Sequence, residues 1–316
     1  MKNIAIAGSI LVDKLNTISL YPQKGKLVDI LSIEKAVGGC VPNVGIDIKR
    51  LDDSFNVFAL GRIGKDKEGD FLIDTLKREG LDVSLLKQGE VTSFTDVMSV
   101  AGGERTFFTY AGECANFGYD DVDFDKLNVD MFHLGYFLLL EKIDQGDGLE
   151  ILKELKRRNI KTSIDLVSKE NGDYLAIRPA LKYTDNLIIN EIEAQGIAGF
   201  TSSDLKEVAT KIKSFGVSER IIIHCPTFAC CLSNDGFTIV PSFELPDGYI
   251  KGSTGAGDAF CAGSLIGIAN GLSDKEILEI ASMSAVCNLS KQDSISGMRS
   301  LEKAKELCKN FKRKNI

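Results

Sequence analysis

Nowhere does the chain hold the run of about eighteen uninterrupted apolar residues that a membrane-spanning helix needs, so a bilayer span is excluded. It also lacks a block of basic residues. With 38 Lys and Arg against 45 Asp and Glu the net charge is −7, which argues against a nucleic-acid or anionic-membrane partner. A metabolite anion remains open, because net charge says little about one pocket. The eight cysteines include no CxxC pair. Cys225, Cys230 and Cys231 cluster beside His224, but a zinc site wants paired short spacings with histidines nearby. They read as buried thiols of a cytoplasmic protein, on a β-hairpin. The opening MKNIAIAGSILVDKL has too short an apolar stretch and no small-residue cleavage site for a signal peptide, and reads as a first buried strand.

What is present is an α/β chain. Its 316 residues, 44% hydrophobic and 26% charged, can bury a substantial core. Short aliphatic runs alternate with amphipathic stretches, as a parallel sheet with crossover helices requires. Strands are expected at Asn3–Ala7, Asn56–Leu60, Met131–Leu134, Lys161–Asp165, Asn186–Ile189 and Arg220–His224, buried on both faces. Helices are expected near Pro42–Leu51, Lys67–Glu79, Gln145–Arg158, Ser203–Phe215, Ala256–Asn270 and Asp274–Leu289. Ser203 ahead of Asp204, and Ser273 with Glu276, supply helix-start chemistry. Gly80 and Gly271 close two of the helices. Leu15–Lys35 and Val91–Ala111 break the alternation as β-rich segments, the second a hairpin with Gly102-Gly103 at its tip. The expectation is one domain over 1–316 with a discontinuous β subdomain at about 12–36 and 90–112. The lysine-rich end, Lys309–Ile316, reads as a frayed terminus.

The stretch that carries chemistry is GYIKGSTGAGDAFCAGSLIGIANGL. Gly252, Gly255 and Gly257 precede a small-residue helix, so successive N–H groups converge and the helix N-terminus adds positive potential. Asp258 falls in the first turn, beside the place a phosphoryl group would lie. There it is expected to be held ionised by those N–H groups, ready to take a proton from an attacking hydroxyl. The bland reading is a glycine turn capped by an aspartate, and the motif alone divides evenly between the two. It is not a Walker loop, since no GK[ST] follows. It is not a dinucleotide fingerprint, since the third glycine would fall at Phe260.

Five blocks in order resemble the PfkB carbohydrate-kinase family, also called ribokinase-like. They are GSILVD with Asp13, VGGCVPNVGIDIKRL with Gly38, Gly39 and Asn43, GRIGKDKEGDFLIDTLKREGL, LIINEIEA with Asn190 and Glu193, and GSTGAGDAFCAG. The resemblance implies a three-layer α/β fold with a mostly parallel central sheet and a small β-sheet lid. It implies ATP as co-substrate with Mg²⁺, and a sugar or nucleoside as acceptor. Asp258 resembles the catalytic base, and Gly255, Ala256 and Gly257 the anion hole. Asn190 and Glu193 resemble residues that organise Mg²⁺ and phosphate, Glu193 through water. Asp13, Gly38, Gly39 and Asn43 resemble acceptor-gripping positions, and Ser282 an adenine-side residue. In some relatives the lid pairs two chains, so a homodimer is a further expectation.

Single residues keep their plainer readings beside these. Asp13 caps a βα turn or contacts substrate; Asn43 caps a helix or approaches the ligand; Glu193 is a solvated surface acid or part of the site. Arg105, at the hairpin, faces solvent or reaches an anionic group. His133 reads as a hydrogen-bonded core histidine. Where the family carries T-x-G-x-x-G, this chain has His224, Pro226 and Ala229, so the nucleotide-side loop is expected to take another path. Gly252 replaces an aspartate often found in relatives that need a monovalent cation. ECANF at Glu113–Phe117 shifts the lid pattern, and DLVSKENGDY lacks a D-P-N. Two rivals stand beside a kinase: a non-catalytic binding or regulatory protein on the same fold, and a nicotinamide-dependent oxidoreductase, which the absent glycine fingerprint disfavours.

Overall fold

The computed structural model describes residues 2–100, 105–168 and 172–316. Its main sheet takes six parallel strands whose aliphatic residues run consecutively because both faces are covered. These are β1 (Asn3–Ala7), β4 (Asn56–Leu60), β9 (Met131–Phe137), β10 (Lys161–Leu166), β11 (Asn186–Asn190) and β12 (Arg220–His224). Two antiparallel strands, β13 (Phe228–Ser233) and β14 (Gly236–Pro241), complete the order β14-β13-β12-β11-β10-β9-β1-β4. The two-residue alternation of a strand splits each between two cores. Ile4 and Ile6 face the helices α1 (Cys40–Leu51), α2 (Lys67–Arg78), α7 (Ala256–Ala269), α8 (Asp274–Leu289) and α9 (Leu301–Cys308). Ala5 and Ala7 face α3 (Gly148–Arg157), α4 (Arg178–Leu181), α5 (Glu191–Ala198) and α6 (Leu205–Lys213). The result is three layers. Among the described residues no helix is long and apolar enough to cross a membrane.

A separate four-stranded sheet is ordered β3-β2-β7-β8, from β2 (Leu11–Ile18), β3 (Ile30–Gly38), β7 (Phe94–Val100) and β8 (Arg105–Tyr110). A pair of short strands, β5 (Arg62–Gly64) and β6 (Lys87–Gly89), lies apart from both. The β-rich segments of the sequence correspond to the strands of the four-stranded sheet and not to β5 and β6, although Leu15–Lys35 begins late: β2 starts at Leu11, and residues 19–29 are outside strands. The expected Gly102-Gly103 tip lies outside the described residues. Every residue of β8 is exposed.

Some expectations need correction. The Lys309–Ile316 end is docked rather than frayed: Lys314 N donates to Ser242 O at 2.8 Å, and the Arg313 guanidinium lies 3.6 Å from the Phe243 ring centre. Helix α3 starts at Gly148, not Gln145, because Gly146 takes φ 133° in a π-helical turn ahead of it. Asp204 caps α6 in place of Ser203, accepting from Lys206 N at 2.9 Å. Ser273 and Glu276 do form the reciprocal cap of α8.

The small residues of α7 let it approach α8 closely. A Cβ on Gly263 would stand 2.6 Å from Ser284 Oγ and 2.8 Å from Ala281 Cα. Backbone cannot yield as a flexible side-chain end can, so overpacking there costs about 1–3 kcal/mol. Gly263→Val is therefore expected to lower the denaturant midpoint by that equivalent at unchanged m-value, and an unchanged midpoint would show that α7 and α8 can separate to admit the side chain at no cost.

Candidate active site

Parallel strands deliver their C-terminal ends to one edge of the sheet, and β1 lies where the strand order reverses, the usual place for a ligand in an open α/β sheet. The site is built there. The amide of Ala259 makes the first helical bond of α7, to Gly255 O at 2.8 Å, so the amides of Gly257 and Asp258 just before it begin the helix without a partner one turn back. Gly255 caps the helix at φ 80°, a conformation that disfavours side chains. It packs on Ser294, and Gly252 packs on Gln292, so one loop braces the other. Of the three expected anion-hole residues, Ala256 has its N–H turned to Ser253 O at 3.2 Å. Gly255 and Gly257 line the cavity beside Asp258.

Asp258 is buried, and the structure corrects the expectation that backbone N–H groups keep it ionised. Its Oδ2 accepts from two side chains, Asn43 Nδ2 at 2.8 Å and the Tyr136 hydroxyl at 3.0 Å. Burial, reinforced by the negative charge of Asp165, pushes its carboxyl from an ordinary 3.8 up to about 7. Asp13 contributes a further repulsion and is itself raised to about 6 by burial. Asn43 is thus not merely a cap: it links α1 to α7.

Tyr136 carries no sequence signal, and it was missed. It sits at φ 61°, a left-handed conformation costly for a bulky residue. Its N–H donates to Asp165 Oδ1 at 2.6 Å, which holds the turn. Asp165, at the end of β10, also lies 3.3 Å from His133 Nε2. His133 is fully buried with Nδ1 2.9 Å from Ser163 Oγ, the hydrogen-bonded core histidine expected of it.

Asn190 and Glu193 do come together, though in a closed network. Asn190 Oδ1 accepts from Glu193 N at 2.9 Å, and Glu193 Oε2 accepts from Asn190 N at 3.0 Å. Ser168, also unforeseen, donates to Glu193 Oε1 at 2.9 Å and accepts from Asn190 Nδ2 at 2.8 Å. Glu193 is buried, not a solvated surface acid, and burial lifts its carboxyl to about 7.

The residues expected to grip an acceptor lie on β2 and around the start of α1. Gly39 opens α1 at φ 93° and packs against Ser9, while a Cβ on Gly38 would fall against the Asp13 carboxylate. Arg105 is not brought in. Cross-strand register puts it on the face of Asp13, since Asp13 pairs Thr95, Ser99 pairs Arg105, and Thr95 and Ser99 share a face. Four residues separate those levels, roughly 13 Å along the strand.

Two cavities meet at α7. The smaller, about 170 Å³, is lined by Asp258, Asp165, Tyr136, Glu193 and Cys261 among others. The larger, about 780 Å³, runs between the β12–β13 hairpin, α8 and the docked tail. Asn190, His224 and Gly257 border both. Ser282 lines the larger cavity, but its hydroxyl donates to Leu278 O at 2.7 Å within its own helix. The altered HCPTFA stretch forms the hairpin turn, closed by Cys225 N to Phe228 O at 3.0 Å. His224 packs 4.7 Å from the Phe260 ring, and burial pulls its imidazole down to about 4.

A model of the pfkB family of carbohydrate kinases matches residues 1–301. The 5-dehydro-2-deoxygluconokinase of Clostridium perfringens is 25% identical over 297 residues, covering 89% of this chain and 86% of its own length. Ribokinase from Thermotoga maritima superposes with a TM-score of 0.84 at 18% identity, over 98% of this chain and 100% of that one. Arabidopsis thaliana ribokinase, solved with ribose and ATP, gives 0.82 at 19% identity over 98% and 99%. These structures share the three-layer architecture and its mostly parallel sheet.

Asp13, Glu193 and Asp258 all bind protons more tightly folded than unfolded. Between about pH 4 and pH 7 the folded state therefore holds protons that the unfolded chain has released, and raising pH removes stability. Asp258→Asn keeps an acceptor for Asn43 and Tyr136 while abolishing the buried charge. It is expected to gain on the order of a few kcal/mol over the parent at pH 8, with the gain vanishing towards pH 4. Equal urea midpoints at pH 8 would show that Asp258 ionises without cost.

Proposed function

The chain belongs to the pfkB family of carbohydrate kinases, and from that premise we propose that it moves the γ-phosphoryl group of ATP to a hydroxymethyl oxygen of a sugar or nucleoside. The observation that carries the reading is the place of Asp258: a buried carboxyl with an elevated pKa at the N-terminus of α7, between the large cavity and the Asp13 flank. ATP occupies the larger cavity, its base against the apolar wall that includes Ser282, Ala285 and Leu289. Its phosphates run past Asn190 and Gly257 to the start of α7, where the amides of Gly255 and Gly257 form the anion hole and Ala256, bonded to Ser253 O, holds the turn. A sugar is the favoured acceptor, as the names of the relatives suggest. It binds against Asp13, Gly38, Gly39 and Asn43.

Asn43 and Tyr136 both donate to Oδ2, which leaves Oδ1 to receive the acceptor's proton. The hydroxyl O–H bond breaks as its oxygen bonds the γ-phosphorus, and the bond to the β-phosphate oxygen breaks, leaving ADP. A base near 7 matches this task at neutral pH. For Mg²⁺ the fit is through water: each Glu193 oxygen already accepts one hydrogen bond, which leaves one lone pair apiece towards the cavity. Asn190 and Glu193 would hold it so, and bound Mg²⁺ would neutralise phosphate charge.

The four-stranded sheet, within about 12–36 and 90–112 of the single domain, acts as the lid; its closure excludes water and brings Arg105 nearer the acceptor. Ile33 and Phe108 are more than half exposed and share one face of that sheet by register, an apolar surface that suits pairing with a second copy. The eight cysteines are all free, which suits the reducing cytoplasm.

ADP release, measured with Mg²⁺ and ATP over a panel of sugars, sugar acids and nucleosides, tests the reading. One acceptor class is expected to give a strong signal, and Asp258→Asn to cut kcat by about 10²–10⁴-fold while nucleotide and acceptor still bind. Silence across the panel, with GTP as well, would leave a non-catalytic binding protein on this fold. Turnover retained in Asp258→Asn would remove Asp258 as the base.

A further inference from the structure

At and behind the wall of the smaller cavity, three side chains that the proposed transfer does not use for bond making converge from β9, β10 and α7. His133 Nε2 lies 3.3 Å from Asp165 Oδ2 and 3.6 Å from Cys261 Sγ, and no two of the three ligand-type atoms are more than 4.8 Å apart. All three residues are buried. Tetrahedral Zn²⁺ with bonds near 2.0–2.2 Å to N and O and 2.3 Å to S sets its ligands about 3.3–3.4 Å apart for N and O, and about 3.6 Å apart for N and S. The two measured edges match those separations.

We propose that His133, Asp165 and Cys261 form a binding site for one Zn²⁺ ion, with its fourth position open to the small cavity. Nitrogen, carboxylate and thiolate ligands together select a borderline-soft divalent ion over Mg²⁺, which takes oxygen. The histidine is already oriented. Nδ1 is engaged with Ser163 Oγ, so the tautomer that donates there presents the Nε2 lone pair to its two neighbours. Asp165 is fixed in the same way by the Tyr136 amide on Oδ1, which leaves Oδ2 to the metal. Asp165 and Cys261 line the cavity, so an ion has a route in and room for a water as fourth ligand. In binding, the Cys261 S–H bond breaks, its proton leaves to solvent, and the sulfur bonds the metal. This site is distinct from the water-mediated Mg²⁺ position at Asn190 and Glu193, and its occupancy does not rest on the chain being a kinase.

The test uses the full chain, reduced and freed of metal, titrated with Co²⁺ as a coloured probe and then with Zn²⁺. Expected are one Co²⁺ per chain with a thiolate-to-metal absorption band, release of about one proton per ion, and displacement by Zn²⁺. Cys261→Ser, nearly isosteric, is expected to lose the band. Ser163→Ala leaves all three ligands in place and is expected to weaken binding about 10–100-fold. Cys225→Ser, which removes the half-exposed thiol next to His224, is expected to change nothing. The proposal falls if no thiolate band forms, if the band survives in Cys261→Ser, or if it is Cys225→Ser that abolishes it. It also falls if Ser163→Ala binds as tightly as the parent, since the oriented histidine would then play no part.

Discussion

Asn43 donates to Asp258 across 2.8 Å, and 215 residues of chain separate the two. A carboxyl largely removed from water needs donors, and here they come from α1 and from the end of β9 rather than from its own helix. That requirement fixes how α1 and α7 start. Each helix opens on a left-handed glycine, Gly39 and Gly255, so both backbones can turn into the same narrow space without a side chain in the way. It also explains the small residues of α7, which must lie close to α8 while carrying Asp258 at its tip. The paired glycines, the capped helices and the buried acid form one arrangement.

Much of this was legible because the signal is local. The parallel strands announce themselves through consecutive aliphatic residues, and β1, β4 and β12 fall at the expected limits. Glycines ahead of an apolar helix mark the start of α7 for the same reason: turn chemistry is written in a few adjacent residues. What stayed hidden depends on long-range contacts. Tyr136 acquires its positive φ from a bond to Asp165, a residue 29 positions away on the next strand. Ser168 matters only because Asn190 and Glu193 arrive beside it. The charged tail reads as solvated until Phe243 and Ser242 supply an aromatic face and a carbonyl for it. Arg105 shows the opposite limit. Its β-strand setting was readable, but its distance from the cavity is set by how far the small sheet extends.

On the proposed reading, the nucleotide side departs furthest from the expected motif, yet a cavity of about 780 Å³ is present there. Pro226 and the missing glycines give a hairpin turn in place of a glycine loop, and the wall of the cavity passes to Phe243, Leu245 and the docked tail. His224 then stands at the boundary of the two cavities. Its imidazole, held near 4 by burial and packed on Phe260, is neutral at physiological pH, so it adds bulk and a hydrogen-bonding edge without charge. If phosphates follow the path proposed above, a cationic histidine there would pull them away from the start of α7; a neutral one leaves the helix N-terminus as the positive end of the path.

The same burial that weakens the fold at high pH is what gives Asp258 chemical use on the reading proposed above. An aspartate at its ordinary 3.8 holds a proton too loosely to draw one from an alcohol as the new bond forms. At about 7 its proton affinity is higher by roughly three powers of ten, while a large fraction remains ionised at neutral pH. Solvating the carboxyl would restore stability and lose the base; burying it without Asn43 and Tyr136 would keep it protonated. The geometry between those extremes has two donors on one oxygen and a cavity before the carboxyl, and Asp165, ahead of Asp13, adds upward pressure to that of burial. Asp165 is also the residue that holds Tyr136 in its strained turn. One carboxylate therefore sets both the orientation of a donor to the base and the electrostatic field around it, and that coupling is why neither could be read from the residues next to Asp258.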